Sequence, residues 1–260
     1  MFGVQVVLAM AIGGVWTDQM SRVPTIINGI DGLDTDWPFM CVLIDSVGSC
    51  GCVLVNGRRV LTAAHCVDGI ATDDMAVVLG LQRSSQVASE VASGDAVTYG
   101  VARYRIHPLF SGENTDGDIA VVTLSNEVTF RDDIQPVSRL ARKSESFLAN
   151  SDCWGMGFGL TDKAAGTLAD NLQVANMNVI TDEECNDIFV NDIDRSVCVF
   201  NGDDAESICD GDSGGPLVCL VGGEQVLVGV GSLGGTQCTK ASVFTSVASH
   251  RTWLKVMGVK

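Results

Sequence analysis

The stretch ESICDGDSGGPLVC, Glu206 to Cys219, places Ser213 between Asp212 and two glycines, with a cysteine on either side. Two interpretations fit it: a surface turn that is merely rich in Gly and Asp, or a turn that holds a serine in place as a nucleophile. Ser207, six residues upstream, has to be explained by the same interpretation. The rest of the chain decides between the two.

From Trp37 onward, short apolar runs alternate with NG, DG, SG and GG pairs, which are typical of turns. The runs are CVLI (41–44), CVLV (52–55), RRVLTAA (58–64), MAVVLG (75–80), IAVVTL (119–124), QVLVGVGSL (225–233) and SVFTSV (242–247). Strands at this spacing predict an all-β fold, either a barrel or a sandwich. Helical periodicity is clear in the tail that begins at Val247, where Val247, Leu254 and Met257 fall close to one helix face.

Composition narrows the class of protein. A chain of 260 residues suits one large domain or two fused small ones. Ten cysteines without a C-x-x-C pair favour an oxidising compartment over a zinc ribbon, so a secreted, extracellular protein is expected. The net charge of −16 disfavours nucleic acids and anionic membranes as partners.

The N-terminus, MFGVQVVLAMAIGGVW, is an apolar run of about the length of a signal peptide. Small residues from Ala11 to Gly14 offer a cleavage site, and we predict a signal peptide over residues 1–14. The segment before this run has no Lys or Arg, which leaves a frayed hydrophobic N-terminus as the alternative. No other apolar run of the sequence is long enough to cross a membrane.

The chain has three histidines, and one of them stands at the end of an apolar run, in LTAAHC. Hydrolysis by a serine needs a base beside the hydroxyl and an acid behind the base. His65, Asp118 in GDIAVVTL and Ser213 supply these three groups in that order. Each is ordinary when taken singly, since a histidine after a strand is more often structural and an aspartate before a strand is usually a turn residue. Together they favour the interpretation of Ser213 as a nucleophile over that of a surface turn merely rich in Gly and Asp.

Several further stretches resemble the trypsin and chymotrypsin family of serine proteases, from Ile26 to the C-terminus. They are IING (26–29), WPF (37–39), LTAAHC (61–66), HP (107–108), DIAVVTL (118–124), CWGMGFG (153–159), GDSGGPLVC (211–219), GSLG (231–234) and Trp253. The resemblance implies a protease domain over 26–260 with two six-stranded antiparallel Greek-key β-barrels, about 26–130 and about 131–246, and a C-terminal helix at about 247–258. It also implies that the active site lies between the barrels and that residues 15–25 form an activation peptide.

The resemblance implies a role for each residue of the site. Ser213 would attack the peptide carbonyl, His65 would carry the proton, and Asp118 would orient the imidazole. The N–H groups of Gly211 and Ser213 would bind the oxyanion, which requires an unusual backbone at Gly211. His107 and His250 are assigned structural roles.

The cysteines are explained in two ways. The resemblance implies the pairs Cys50–Cys66, Cys153–Cys219, Cys185–Cys198 and Cys209–Cys238. Cys41 and Cys52 lie outside that pattern and flank what should be the first hairpin. Their even loop count lets them sit directly opposite each other on antiparallel strands, so we predict a fifth, cross-strand disulfide, with free thiols as the alternative.

Activation in this family follows a cut that frees an α-amino group, which pairs with the aspartate before the nucleophile. The partners here would be Ile26 and Asp212. Thr25 precedes Ile26, and cleavage after Arg22 would leave three residues too many. We therefore expect a cut after Thr25 by an elastase-like enzyme, which could be this protein acting on itself.

Four residues are expected to shape the primary specificity pocket: Ser207 at its base, Ile208 filling it, Gly234 at the entrance and Ser242 on a wall. Ser207 lacks the charge that would pair with Lys or Arg, and Ile208 and Ser242 narrow the space. A preference for small or medium apolar residues before the cut is predicted, with an aromatic preference as the runner-up.

Other expectations concern ligands and partners. Leu81 stands where calcium-binding members have a glutamate, so no metal and no cofactor are predicted. The expected partners are protein or peptide substrates and proteinaceous protease inhibitors, and a monomer is expected. An inactive homologue that serves as a binding module is the alternative function.

Overall fold

The computed structural model describes residues 29–32, 36–112, 115–148, 152–162, 166–189, 193–202, 206–234, 238 and 241–260. The predicted signal peptide (1–14), the activation peptide (15–25) and Ile26 lie outside the described residues. None of the described helices is long and apolar enough to cross a membrane.

Strands dominate the described part of the chain, as the alternation of apolar runs and turns predicts. Their bounds are β1 (Ile30–Asp31), β2 (Met40–Ile44), β3 (Ser49–Asn56), β4 (Arg59–Thr62), β5 (Ala76–Leu79), β6 (Val97–Ile106), β7 (Ala120–Leu124), β8 (Arg139–Leu140), β9 (Cys153–Gly157), β10 (Leu160–Asp162), β11 (Thr167–Leu168), β12 (Gln173–Asn176), β13 (Ser196–Val199), β14 (Pro216–Val221), β15 (Glu224–Leu233) and β16 (Ser242–Ser246). Each apolar run named from the sequence contributes to one of these strands.

The first half of the protein is a closed barrel of six strands, in the order β2-β3-β4-β7-β6-β5. All of its pairings are antiparallel. Leu43, Leu54, Leu79 and Leu124 are among its fully buried side chains. Removing a leucine side chain from water is worth about 1.5–3 kcal/mol, so this core is a main source of stability.

The second half is built on a sheet with the order β1-β12-β9-β14-β15-β16-β13, and β8 pairs with β15. The segment that follows β12 bonds to β13, through Ile180 N to Cys198 O and Phe200 N to Asn178 O. These bonds bring β12 and β13 together and close six of the strands into the second barrel. The predicted two-barrel fold is confirmed.

The N-terminal strand β1 does not belong to the first barrel, although the predicted boundary of about 26–130 includes it. Ile30 and Asp31 pair with Val174 and Gln173 of β12. The side-chain amide of Gln173 donates to Asp31 at 2.7 Å, which adds to the pairing. The first described strand therefore lies against the second barrel, and the chain then crosses to the first. This pairing joins residues far apart in the sequence, and local sequence does not encode it.

Three α-helices are described: α1 (Val87–Ser93), α2 (Asp182–Ile188) and α3 (Val247–Val256). The sequence predicted only the last, over about 247–258, and α3 ends two residues earlier because Gly258 has φ +79°. Helices of seven residues are too short to show a periodic pattern. A capping box at Thr181 and Glu184 nevertheless marks the start of α2.

Five disulfides join the ten cysteines in the pairing that was predicted. Cys41 and Cys52 lie directly opposite each other in the β2-β3 hairpin. The even loop count therefore identified the register of this hairpin correctly, and free thiols at these positions are excluded.

Candidate active site

Asp118 is the most constrained polar residue of the site. Its carboxylate is buried and accepts three hydrogen bonds. Oδ1 accepts from the His65 backbone N–H at 3.0 Å, and Oδ2 lies 2.8 Å from His65 Nδ1 and 2.6 Å from Ser232 Oγ. A carboxylate with this set of donors is held in one orientation, and it fixes the orientation of the imidazole in turn.

Two residues that support Asp118 were not singled out from the sequence. Ser232, on β15, donates to the carboxylate, and Thr245, on β16, donates to the Asp118 carbonyl at 2.8 Å. Both belong to the second barrel, whereas Asp118 precedes β7 of the first. Ser232 lies in the GSLG motif, which was the one available signal for it.

His65 lies in the turn after β4, and the Cys50–Cys66 disulfide ties that turn to β3. Burial of the ring opposes protonation. The hydrogen bond to Asp118 and the negative charge of Asp118 outweigh burial, so the pKa of His65 is raised above its ordinary value. The imidazole is therefore a stronger base than a free histidine.

The turn that carries Ser213 packs directly on the first barrel. The Ser213 carbonyl accepts from Gly51 N of β3 at 2.7 Å, and Gly214 N donates to Gly231 O at 2.7 Å. Gly214 has φ +80°, and a Cβ there would meet Thr62 Oγ1 and the Gly51 carbonyl. Glycine is thus required at 214 for the turn to approach the strand that leads to His65.

The structure brings His65 and Asp118 together, but no hydrogen bond joins Ser213 Oγ to His65 among the described contacts. Contacts between a nucleophile and its base are often long in the absence of substrate.

The backbone at Gly211 has φ +97°, as the oxyanion role required. Among the described residues, none accepts a backbone hydrogen bond from the Gly211 or Ser213 N–H.

Asp212 is buried beneath this turn. Its carboxylate accepts from Gly159 N at 2.8 Å and from Cys209 N at 2.9 Å. A Cβ on Gly159 would lie 2.6 Å from the Asp212 Cγ, so the glycine makes room for the acid. Burial, together with the charge of Asp210, outweighs these hydrogen bonds and raises the pKa of Asp212 to about 6. Its predicted partner Ile26 lies outside the described residues.

The four predicted pocket residues converge. The hydroxyls of Ser207 and Ser242 are 2.9 Å apart and buried, and Ser242 Oγ accepts from Ile208 N at 3.2 Å. The Ile208 side chain is buried, and its Cδ1 is 3.5 Å from where a Cβ on Gly231 would stand. A Cβ on Gly234 would lie 2.7 Å from the Ile208 carbonyl oxygen. The described residues at the predicted floor of the pocket are therefore uncharged, and the Ile208 side chain lies next to them.

The adjacent acid does not reach this floor. Glu206 accepts a hydrogen bond from the side-chain amide of Asn201 at 3.2 Å, on the chain segment before the pocket. The hydrogen bonds described for the Ser207 hydroxyl go to the Ile208 carbonyl and the Ser242 hydroxyl, and none of them goes to a carboxylate of the described residues.

The other two histidines form a cluster behind Asp118. The rings of His107 and His250 have centroids 4.6 Å apart, and His107 lies 4.9 Å from Trp253. His107 N donates to Ile119 O, next to Asp118. Burial and the neighbouring His250 lower the pKa of His107 to about 4, while Asp116 acts in the opposite direction and Arg195 in the same one. The packing of both rings is consistent with structural roles, which stay a prediction.

This cluster predicts acid sensitivity. An unfolded histidine titrates near pH 6.5, whereas His107 in the folded protein stays neutral down to about pH 4. The unfolded state therefore binds more protons between these values, and the free energy of unfolding falls as the pH is lowered from about 6.5 to 4. Urea unfolding at several pH values in this range measures the slope.

The matched control for this prediction is His107→Gln, which removes the titrating ring. Groups outside the cluster, including His65 and Asp212, titrate equally in both proteins, so the difference between the two slopes reports His107 and its interaction with His250. Equal slopes in the wild type and the variant would contradict the assignment.

Comparison with known proteins agrees with this geometry. The trypsin family profile matches residues 26–254. The chain is 35% identical over 237 residues to "Chymotrypsin" from Phaedon cochleariae, covering 88% of this chain and 81% of that protein. It is 31% identical over 242 residues to "Chymotrypsin-like elastase family member 1" from Canis lupus familiaris, covering 88% and 90%. The chain belongs to the trypsin family; it is a serine endopeptidase, a hydrolase that acts on protein or peptide substrates.

Proposed function

We propose that this protein is a secreted endopeptidase, made as a zymogen, that uses Ser213, His65 and Asp118 as its catalytic triad and prefers small or medium apolar residues before the cut. The observation that carries the proposal is the Asp118 carboxylate, buried and bonded at once to the ring and the backbone of His65. This arrangement prepares His65 to act as a base next to the turn that carries Ser213.

Ser213 Oγ attacks the peptide carbonyl, and its proton passes to His65 Nε2. His65 Nδ1–H remains bonded to Asp118, which stabilises the imidazolium that forms. The histidine then gives the proton to the leaving amine, and water repeats the sequence to release the acyl group from Ser213. The raised pKa of His65 supports this role, because it strengthens the base that takes the proton.

The N–H groups of Gly211 and Ser213 bind the negative charge that develops on the carbonyl oxygen. Losing one such donor costs about 10²–10³ in kcat. The positive φ of Gly211 supports the role, since it turns this N–H out of the ordinary backbone pattern.

Activation is proposed to depend on an ion pair between the α-amino group of Ile26 and Asp212. Before cleavage the Ile26 nitrogen is a peptide nitrogen and carries no charge. The raised pKa of Asp212 supports the proposal, because a buried carboxylate is stabilised by a cation. No described cation contacts Asp212.

We expect the active protein to begin at Ile26, after a cut behind Thr25. N-terminal sequencing of an active preparation tests this, with an unprocessed Ser213→Ala preparation as the reference. An active sample that starts at Val23 would refute the proposed ion pair, because three additional residues would displace the amino group from Asp212.

The substrate preference rests on the floor and walls of the pocket. Ser207 and Ser242 satisfy each other, so the floor offers no charge to Lys or Arg. Ile208 fills space that a large aromatic ring would need. Apolar pockets discriminate by only about 1–3 kcal/mol per methylene, so the preference is expected to be broad.

A cleavage-site profile on a mixed peptide library measures the preference. We expect cuts after Ala, Val, Thr or Leu in the wild type, and a shift toward Phe and Tyr in Ile208→Ser, which enlarges the pocket. A wild type that already cuts after Phe or Tyr would overturn the pocket assignment and leave the chemistry intact. Absence of cutting, in a sample that starts at Ile26, would favour an inactive homologue that acts as a binding module.

Secretion is proposed on the five disulfides, which form and persist in oxidising compartments. Protein inhibitors that bind at the turn carrying Ser213 are proposed as further partners. The enzyme is also proposed to be a monomer.

A further inference from the structure

A cavity of about 300 Å³ lies on the outside of the first barrel, remote from the serine turn. We call it the arginine pocket; its lining is Arg59, Arg103, Arg105, Val121, Thr123, Val256, Met257 and Gly258. Three arginines in one cavity are unusual for a chain with 16 basic and 32 acidic residues.

Strand register explains why the three arginines share a face. Thr123 of β7 is paired with Arg59 of β4 on one side and with Arg103 of β6 on the other. Arg105 is two residues beyond Arg103, and alternate residues of a strand point to the same face. Neighbouring strands are about 4.8 Å apart, so Arg59 and Arg103 are anchored about 10 Å from each other, and Arg103 and Arg105 about 7 Å.

These arginines lack the carboxylate partners that other arginines of the protein have. Arg83, Arg131, Arg139 and Arg195 each form an ion pair. In the part of the chain that the structure describes, none of the three pocket arginines forms an ion pair with a carboxylate. Like charges on adjacent positions of a sheet repel each other. An anion in the pocket would therefore reduce the repulsion among the three arginines.

The end of α3 forms the opposite wall of the pocket. Arg59 Nη2 lies 2.9 Å from the position that a Cβ on Gly258 would take, so glycine there leaves room for the guanidinium. Val256, which is 75% exposed, adds an apolar rim. The cavity is thus a shaped recess with cations on one wall and short apolar groups on the other.

We propose that the arginine pocket binds sulfate or phosphate groups, and that its ligand carries more than one of them, as a sulfated oligosaccharide does. Guanidinium groups match the geometry of these oxyanions and bind them with two parallel hydrogen bonds. Anchors about 7–10 Å apart suit several oxyanions on one scaffold better than a single ion. Arg59 starts β4 and His65 follows the far end of that strand, so substrate and anion bind at separate places.

Calorimetric titration of the full chain carrying Ser213→Ala, which prevents self-digestion, tests the proposal. The two probes are a sulfated hexasaccharide and inorganic sulfate. We expect saturable binding of the hexasaccharide that weakens with added salt, and a loss of about tenfold to a hundredfold in Arg103→Gln, the worth of a hydrogen bond to a charged group. Lys143→Gln removes the same charge from an exposed site elsewhere and should change the affinity less than twofold.

The two arms separate the sources of the oxyanion. A hexasaccharide that binds far more tightly than sulfate supports a ligand with several groups, and equal affinities would overturn the claim that the ligand carries more than one. Failure of both probes to bind, or equal weakening by Lys143→Gln and Arg103→Gln, would overturn the proposal. An unchanged urea midpoint for Arg103→Gln shows that the variant is folded.

Discussion

Replacing Ser213 by alanine is expected to lower kcat by about 10⁶-fold, the scale of loss when the nucleophile of such a triad is removed. The residual rate should still exceed the uncatalysed rate by about 10³–10⁴, because substrate binding and the oxyanion donors remain. The measurement is kcat/KM on a peptide substrate, with the concentration of active sites determined in the wild type.

The structure indicates that this variant should fold normally. The described anchor of Ser213 is its carbonyl, which accepts from Gly51 N and is retained in alanine. We therefore expect the free energy of unfolding to change by less than about 0.5 kcal/mol. Ser144→Ala, on the exposed surface, is the control for serine removal. A Ser213→Ala protein that retains more than a third of the wild-type kcat would contradict the assignment of Ser213 as the nucleophile.

The second large effect is expected from Asp118→Asn, with a loss of about 10⁴-fold in kcat from the wrong tautomer of the histidine. The His65 backbone N–H is an obligatory donor to Oδ1, so the amide oxygen has to stay at that position. The new NH₂ group then faces His65 Nδ1, which must become an acceptor. Nε2 then carries the proton and cannot take one from Ser213.

The pH profile of this variant distinguishes the mechanism from simple misfolding. Asp118 raises the pKa of His65, so its neutralisation should move the inflection of the residual activity to lower pH. Asp132→Asn removes one exposed negative charge and should leave both kcat and the profile unchanged. A loss below tenfold in Asp118→Asn, or an inflection that does not move, would argue against the orienting role.

Local sequence predicted most of the strands, because strands that are buried along most of their length appear as runs of Val, Leu and Ile between turn residues. It also predicted the Cys41–Cys52 bridge, since side chains alternate with period two and register decides which residues meet. The short helices α1 and α2 and the pairing of β1 with β12 were not predicted. Seven residues are too few for a helical pattern, and the partner of β1 is distant in the chain.

The specificity pocket likewise has features that the sequence predicted and features that it did not. The lack of an acid at Ser207 was visible in the sequence, and it argued against pairing with basic side chains. The contact between the Ser207 and Ser242 hydroxyls was not visible, because it joins residues 35 apart. Because of that contact, the two buried hydroxyls at the floor of the pocket have a hydrogen-bond partner without any charged group.

The sequence by itself determined which chemical groups are present, the strands that carry them and the pairing of Cys41 with Cys52, because these follow from local composition and period. The other four cysteine pairs were implied by the resemblance to the trypsin and chymotrypsin family. Tertiary structure alone decided how Asp118 is held, since Ser232 and Thr245 reach it from 114 and 127 residues away. It likewise decided that Arg59, Arg103 and Arg105 meet. A barrel brings strands together by hydrogen-bond register over long separations, and no local pattern records which residues then face one another.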